Sequence, residues 1–244
     1  MTFLEWLGTA TTKKGLPLSK RTAEHYESGF RITSKLMLDE NVISKPLEDM
    51  NIHELDLAIS VIFNTQSFIT KDSIGKRMYS NALKRYRCYV YLNSDIGIQE
   101  EAQEAFVKND QTLTSTEKEV IIKARRGQGL YREKLMQKYN KSCIVTGTNI
   151  SQVLVASHIK PWAVCDNNER IDVNNGLLLS ATFDRLFDSG LITFDKKGKM
   201  LVSNMVSKDN FDKLHIDDTI NYDIKYAQTM EKYLDYHNKV IFVG

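Results

Sequence analysis

Ala156-Ser157-His158-Ile159-Lys160-Pro161-Trp162, then Asn174-Asn175-Gly176-Leu177-Leu178-Leu179, then Thr182-Phe183-Asp184-Arg185-Leu186-Phe187-Asp188-Ser189-Gly190 stand in this order in the second half of a 244-residue chain. The hydrophobic period changes around them. Cys143 to Thr146 and Val153 to Ser157 are short β-type runs joined by Gly147, Thr148 and Asn149, the pattern of a hairpin. A polar loop from Asp166 to Asn175 leads to a short helix over Ser180 to Asp188, closed by Gly190. Leu191 to Phe194 and Met200 to Val202, separated by Lys197-Gly198, read as a second hairpin. The expected order is hairpin, loop, helix, further strands.

Upstream the period is helical. Ser19 caps an amphipathic helix to about Leu38 that carries Ala23, Tyr26, Phe30, Ile32 and Leu36. Asn51 and Glu54 have capping-box spacing before a largely buried helix with Leu55, Leu57, Ile59, Val61 and Ile62. Asp72 caps a third helix to about Tyr91, whose outer face is basic through Lys76, Arg77, Lys84 and Arg87. A shorter helix is expected from Glu100 to Val107. The polar stretch Lys108 to Ser115 then marks a domain boundary. Thr114 and Glu117 form another capping box, opening a helical region through Tyr139 that Gly127 and Gly129 interrupt.

The composition is that of an ordinary globular protein: 42% apolar residues, 26% charged residues and only 3 prolines exclude a disordered or fibrous chain. The length leans towards two domains. Neither a leader pattern nor a stretch near the ~20 apolar residues of a membrane span is present, so a cytoplasmic location is expected. Cys88, Cys143 and Cys165 include no C-x-x-C pair and are read as reduced and packed. The net charge of +2 does not by itself argue for nucleic acid. Its distribution does, because the basic residues gather between Lys71 and Arg87 and between Lys118 and Lys141, while acid accumulates towards the C-terminus.

The three quoted segments resemble the HNH endonucleases, the β-β-α metal nucleases. The likeness to a bacterial restriction-type subgroup also takes in Gln128, Tyr131-Arg132, Cys143-Ile144-Val145-Thr146-Gly147 and Tyr233-Leu234-Asp235-Tyr236-His237, and spans roughly Arg125 to Phe242. The resemblance implies an α+β protein with a helical N-terminal domain over about residues 1–110 and a β-β-α metal domain over about 111–244. It implies hydrolysis of DNA phosphodiesters to 5′-phosphate and 3′-hydroxyl ends, most simply by a restriction endonuclease.

Such hydrolysis needs a base to take a proton from water, a cation to offset charge at the phosphorus and the departing O3′, and a group to hold the base. By the resemblance His158 is the general base, since a neutral imidazole titrates near working pH. Asn175 is the middle Asn that hydrogen-bonds across the loop to orient it. Asp184 takes the third signature position as metal ligand, and a carboxylate there suits Mg²⁺ or Mn²⁺. Ser157 departs from the pattern, because many members place Asp or His before the base. Water, phosphate oxygens or Asp188 would then complete the coordination.

Each residue alone has a plainer reading. A histidine beside Pro and Trp is usually structural, Asn-Asn-Gly is a turn, and Asp184 with Asp188 at i and i+4 is a solvated helix face. The ordered combination favours the nuclease site. Lys76, Arg77, Lys84, Arg87, Arg126, Arg132 and Lys160 are the candidate DNA contacts, although a basic helix face is often only solvated. The expected partner is double-stranded DNA, with no membrane and a homodimer suited to twofold-symmetric sites. A phage or mobile-element nicking nuclease, or a DNA-binding protein with a degenerate nuclease site, is the alternative.

Overall fold

Side-chain caps and non-glycine left-handed residues divide the N-terminal half into helices. The computed structural model describes residues 1–11, 16–94, 104, 107–125, 129–217, 219, 222, 224 and 228–244. Arg126, Gly127, Gln128 and most of the expected helix from Glu100 to Val107 lie outside them. A helix not expected from the sequence opens the chain, α1 (Phe3–Thr9), capped by Thr2 and Glu5. Ser19 Oγ accepts from the Thr22 amide to start α2 (Lys20–Asp39). The Asn51–Glu54 capping box is complete in both directions, at 3.0 and 2.9 Å, and opens α3 (Ile52–Ile62). Leu55, Ile59 and Ile62 of α3 are buried, but Leu57 and Val61 stand exposed on its other side.

The single helix expected from Asp72 to about Tyr91 is two helices, α4 (Gln66–Ile74) and α5 (Met78–Asn93). Lys76 and Arg77 between them have φ of 51° and 64°, a left-handed pair that stops the ladder. Asp72 still caps, from outside the helix: it sits in the last turn of α4 and its carboxylate accepts from the Ser80 amide of α5 at 2.8 Å. The expected basic outer face of α5 is corrected too. Arg85 and Arg87 are buried with Ala82, Leu83, Tyr86 and Cys88, because α5 is packed by α1, α2, α3 and α4.

α6 (Ser115–Arg125) begins at the Thr114–Glu117 box and is followed by α7 (Gly129–Lys138). The expected first hairpin does not form. Cys143 to Thr146 is a turn closed by Cys143 N–H to the Thr148 carbonyl at 2.9 Å, with Gly147 at φ +68°. The partner of β1 (Leu154–His158) is β2 (Gly176–Ser180), antiparallel, with His158 opposite Gly176 and Ser157 opposite Leu177. Leu177, Leu178 and Leu179 are all buried, so this apolar run is the one that a strand beneath a core satisfies. Gly176 is required by packing, since a Cβ there would meet Tyr131 Oη at 2.5 Å.

α8 (Ala181–Asp188) follows β2 directly and ends at Gly190, φ +78°, where a side chain would run into the Ile241 carbonyl. β3 (Ile192–Phe194) and β4 (Met200–Val202) form the expected second hairpin, with Gly198 in its turn. α9 (Lys208–Leu214) and α10 (Glu231–Tyr236) complete the chain, α10 running into a π-helical turn over His237–Ile241. One large core lies under the helices α1 to α5, a second under β1, β2, α7, α8 and α10. Val240, Ile241 and Val243 pack into the first, so the end of the chain closes the helical half. All three cysteines are free and buried, and burial pushes the Cys88 and Cys165 thiols up to about 12, which leaves them unreactive.

Candidate active site between the helices and the β1–β2 pair

His158 ends β1 with its ring stacked on Tyr131, centroids 4.6 Å apart and 9° between planes. Its Nε2–H donates to the Arg170 carbonyl at 2.9 Å, which puts the imidazole lone pair on Nδ1. Asn175 is fully buried in the turn before β2. Its Oδ1 accepts from the Lys160 amide at 2.9 Å, and its Nδ2 donates to the Glu169 carbonyl at 3.1 Å and the Cys165 Sγ at 3.2 Å. The amide hydrogen-bonds across the loop 159–175 one peptide away from the carbonyl that meets the imidazole. It fixes the carbonyl of Glu169, and the next carbonyl holds His158.

α8 brings Asp184, Arg185 and Asp188 to the same place. Its apolar side, Phe183 and Phe187, is anchored in the core. The other side faces a cleft of about 380 Å³ lined by Ser157, His158, Asp184 and Asp188 together with Asp56 of α3 and Tyr91 of α5. Burial raises the Asp184 carboxyl to about 6, against the Ser157 hydroxyl and Arg185, which lower it. Burial and then the charge of Asp184 push Asp188 up; Tyr91 and Arg87 oppose that rise. Ser157 Oγ is buried beside Asp184, near enough for its hydroxyl to lower that carboxyl's pKa. Burial also keeps the Tyr91 phenol protonated, and it donates to Asp188 Oδ2 at 3.1 Å.

Two carboxylates one turn apart and a buried hydroxyl beside them are hard oxygen donors, and a cation relieves the mutual cost of the carboxylates. The donor set is short. Among the described residues no group of three or more His, Cys, Asp and Glu could hold an ion. Hard oxygen donors in so small a number would suit a divalent ion that keeps most of its water.

The remaining candidates divide. Lys76 and Arg77 are exposed at the α4–α5 turn. Lys84 is half-buried with Nζ 3.4 Å from the Asn238 carbonyl, and burial takes its pKa down to about 8. Arg87 is 3% exposed and grips both carboxylate oxygens of Asp56, at 2.5 and 3.1 Å. Its placement on an outer basic face is corrected: the guanidinium belongs to the interior of the cleft. Arg132 holds the carbonyls of Leu154 and Ser151 at 2.9 and 2.8 Å, bracing the start of β1. Lys160 pairs with Glu169 at 2.5 Å. The side chain of Arg125, like the whole of Arg126, lies outside the described residues.

Residues 143–195 match the family model described as HNH endonuclease. Over this segment the chain is similar to an HNH endonuclease domain. At family level this supports a nuclease, a hydrolase acting on DNA, and the match covers β1, β2, α8 and β3 with the cleft residues between Ser157 and Asp188. The helical half and the segment after residue 195 lie beyond the match. A search of the curated proteins returns no match. No helix among the described residues is long and apolar enough to cross a membrane.

Tyr91, Arg185, Asp56 and His53 line the cleft and were not singled out from the sequence. Arg185 stands beside Asp184 within the quoted segment, so adjacency was a usable signal. Nothing local ties positions 56 and 91 to position 188. His237, expected in a structural motif, is buried with Nδ1 accepting from Thr193 Oγ1 at 2.8 Å and Nε2 donating to the Phe187 carbonyl at 3.0 Å.

Proposed function

We propose that the protein is a divalent-metal-dependent DNA endonuclease of the restriction type, acting as a homodimer, with β1, β2 and α8 as its β-β-α metal unit and the helical half as a DNA-binding domain. The observation that carries this reading is a cleft in which two residues of the HNH match meet: His158, an imidazole with its lone pair on Nδ1, and Asp184, a buried carboxylate of raised pKa.

His158 Nδ1 takes the proton of a water as its oxygen bonds to phosphorus, and the P–O3′ bond breaks on the opposite side. O3′ leaves as alkoxide and takes a proton from solvent, giving a 5′-phosphate and a 3′-hydroxyl. The Arg170 carbonyl stabilises the imidazolium that forms, because Nε2–H already donates to it. Asn175 keeps that carbonyl in place through Glu169. Asp184 is the ligand for Mg²⁺ or Mn²⁺, with Ser157 Oγ and Asp188 beside it. When bound there, the ion would supply positive charge to offset the negative charge that develops on the phosphate and the departing O3′. Lys76 and Arg77 are the exposed cations offered to phosphate.

One observation favours a second reading, a DNA-binding protein whose nuclease site has lapsed: the short set of metal donors among the described residues. Incubating the protein with plasmid DNA and Mg²⁺ separates the two. Cleavage that EDTA stops and that Asp184→Ala lacks is the expected result; DNA that is bound and never cut at any Mg²⁺ or Mn²⁺ concentration selects the second reading.

A further inference from the structure

α8 is too short to hold itself in place. An isolated helix of eight residues does not persist in water, and its N-cap Ser180 makes no side-chain capping bond. Its apolar side is set by Phe183 and Phe187, which fixes how deep it sits. Its polar side is set by α5, from the other core of the molecule. Tyr91 Oη donates to Asp188 Oδ2 at 3.1 Å, Arg185 Nη2 donates to the Tyr91 carbonyl at 2.9 Å, and Arg87 Nη1 donates to the Asp188 carbonyl at 2.7 Å. The Arg185 guanidinium also lies over the Tyr91 ring, 4.3 Å from its centroid. Tyr91 therefore meets α8 twice, at Arg185 and one turn later at Asp188, through hydroxyl, ring and carbonyl.

We propose that Tyr91 is a positioning residue of the nuclease site, holding α8 from the helical half so that Asp188 is engaged as a hydrogen-bond acceptor and Asp184 is the carboxylate presented to the ion. The inference rests on the nuclease reading and adds to it that the helical half completes the active site rather than only carrying it to DNA. The consequence is chemical. With Asp184 the carboxylate committed to the ion, the ion's placement relative to His158 depends on how α8 is held, and a displacement of about 1 Å in such a site costs on the order of 10² in rate.

Tyr91→Phe removes the hydroxyl and keeps the ring. Three quantities are measured on the full chain: free Mn²⁺ by electron paramagnetic resonance during titration, DNA affinity by gel shift without metal, and single-turnover cleavage at saturating Mg²⁺. Tyr91→Phe is expected to leave DNA affinity unchanged, to weaken Mn²⁺ binding and to slow cleavage about tenfold or more. Asp188→Asn should act in the same direction. The double variant should be no worse than the worse single one, because both changes break the same contact. A residue that only filled space would leave the Mn²⁺ titration where it was. If wild type binds Mn²⁺ and cuts while Tyr91→Phe does both equally well, or if the two losses simply add, the role given to Tyr91 is wrong and the nuclease reading stands. If wild type neither binds Mn²⁺ nor cuts, the nuclease reading fails and takes this inference with it.

Discussion

Replacing Arg87 with Met separates a surface DNA contact from a buried brace. The side chains of Arg87 and Asp56 are each 4% exposed, and their carboxylate–guanidinium pair is doubly hydrogen-bonded. Arg87 also donates to the Asp188 carbonyl. Met fills similar volume, so little of the effect comes from a cavity. What remains is an uncompensated carboxylate at Asp56 and an orphaned carbonyl at Asp188, and breaking a buried pair from one side costs about 3–5 kcal/mol. Against a typical stability of about 5–15 kcal/mol that is a fifth of the total at the least. Urea denaturation followed by circular dichroism should show the midpoint falling at unchanged slope. Adding Asp56→Leu to Arg87→Met should recover much of the loss, since the stranded charge is then removed. If Arg87→Met were as stable as wild type and lost only DNA affinity, with a shallower salt dependence, the guanidinium would be a phosphate contact and the buried placement would be refuted.

Other outcomes follow from the same geometry. Burial takes the His237 imidazole down to about 3, from an ordinary value near 6.5, so the folded state resists a proton that the unfolded state accepts. The stability it contributes is complete above about pH 6.5 and declines by roughly 1.4 kcal/mol per pH unit as pH falls towards 3; a stability–pH curve that His237→Gln leaves unchanged would contradict this. Reversing Lys76 and Arg77 to Glu should weaken DNA binding and reduce the salt slope by about 0.9 for each lost phosphate contact, and an unaltered slope would move the binding face elsewhere. Ser157→Asp adds a hard oxygen beside Asp184 and should lower the Mg²⁺ concentration for half-maximal cleavage. A rise in that concentration at the pH optimum of the variant would remove Ser157 from the ion's surroundings.

What could be read from the chain was local. Ser19, the Asn51–Glu54 box and the Thr114–Glu117 box declare helix starts within three residues, and the β3–β4 hairpin is declared by Lys197-Gly198 between two short apolar runs. The partner of β1 was misread because Gly147-Thr148-Asn149 imitates a hairpin turn, whereas the true partner lies beyond the loop 159–175. The α4–α5 break was missed because Lys76 and Arg77 are unusual left-handed residues, and their charges look like the face of a continuous helix.

The cleft was legible on one side only. Ser157, His158, Asp184 and Asp188 are singled out by the resemblance of their segments to HNH endonucleases, and the structure brings all four to one cavity. Asp56, Arg87 and Tyr91 reach it through tertiary packing at separations no local pattern encodes. Arg87 was read as an outward cation for the same reason, since its partner Asp56 lies on a different helix.

The most direct test of the account is the single-turnover rate of DNA cleavage by His158→Ala in Mg²⁺, measured beside its DNA affinity. The expected result is a loss of on the order of 10² to 10⁴ in rate, the usual contribution of a general base, with binding unchanged. Cleavage at the wild-type rate would contradict it, because no imidazole would then be needed in the cleft between β1 and α8.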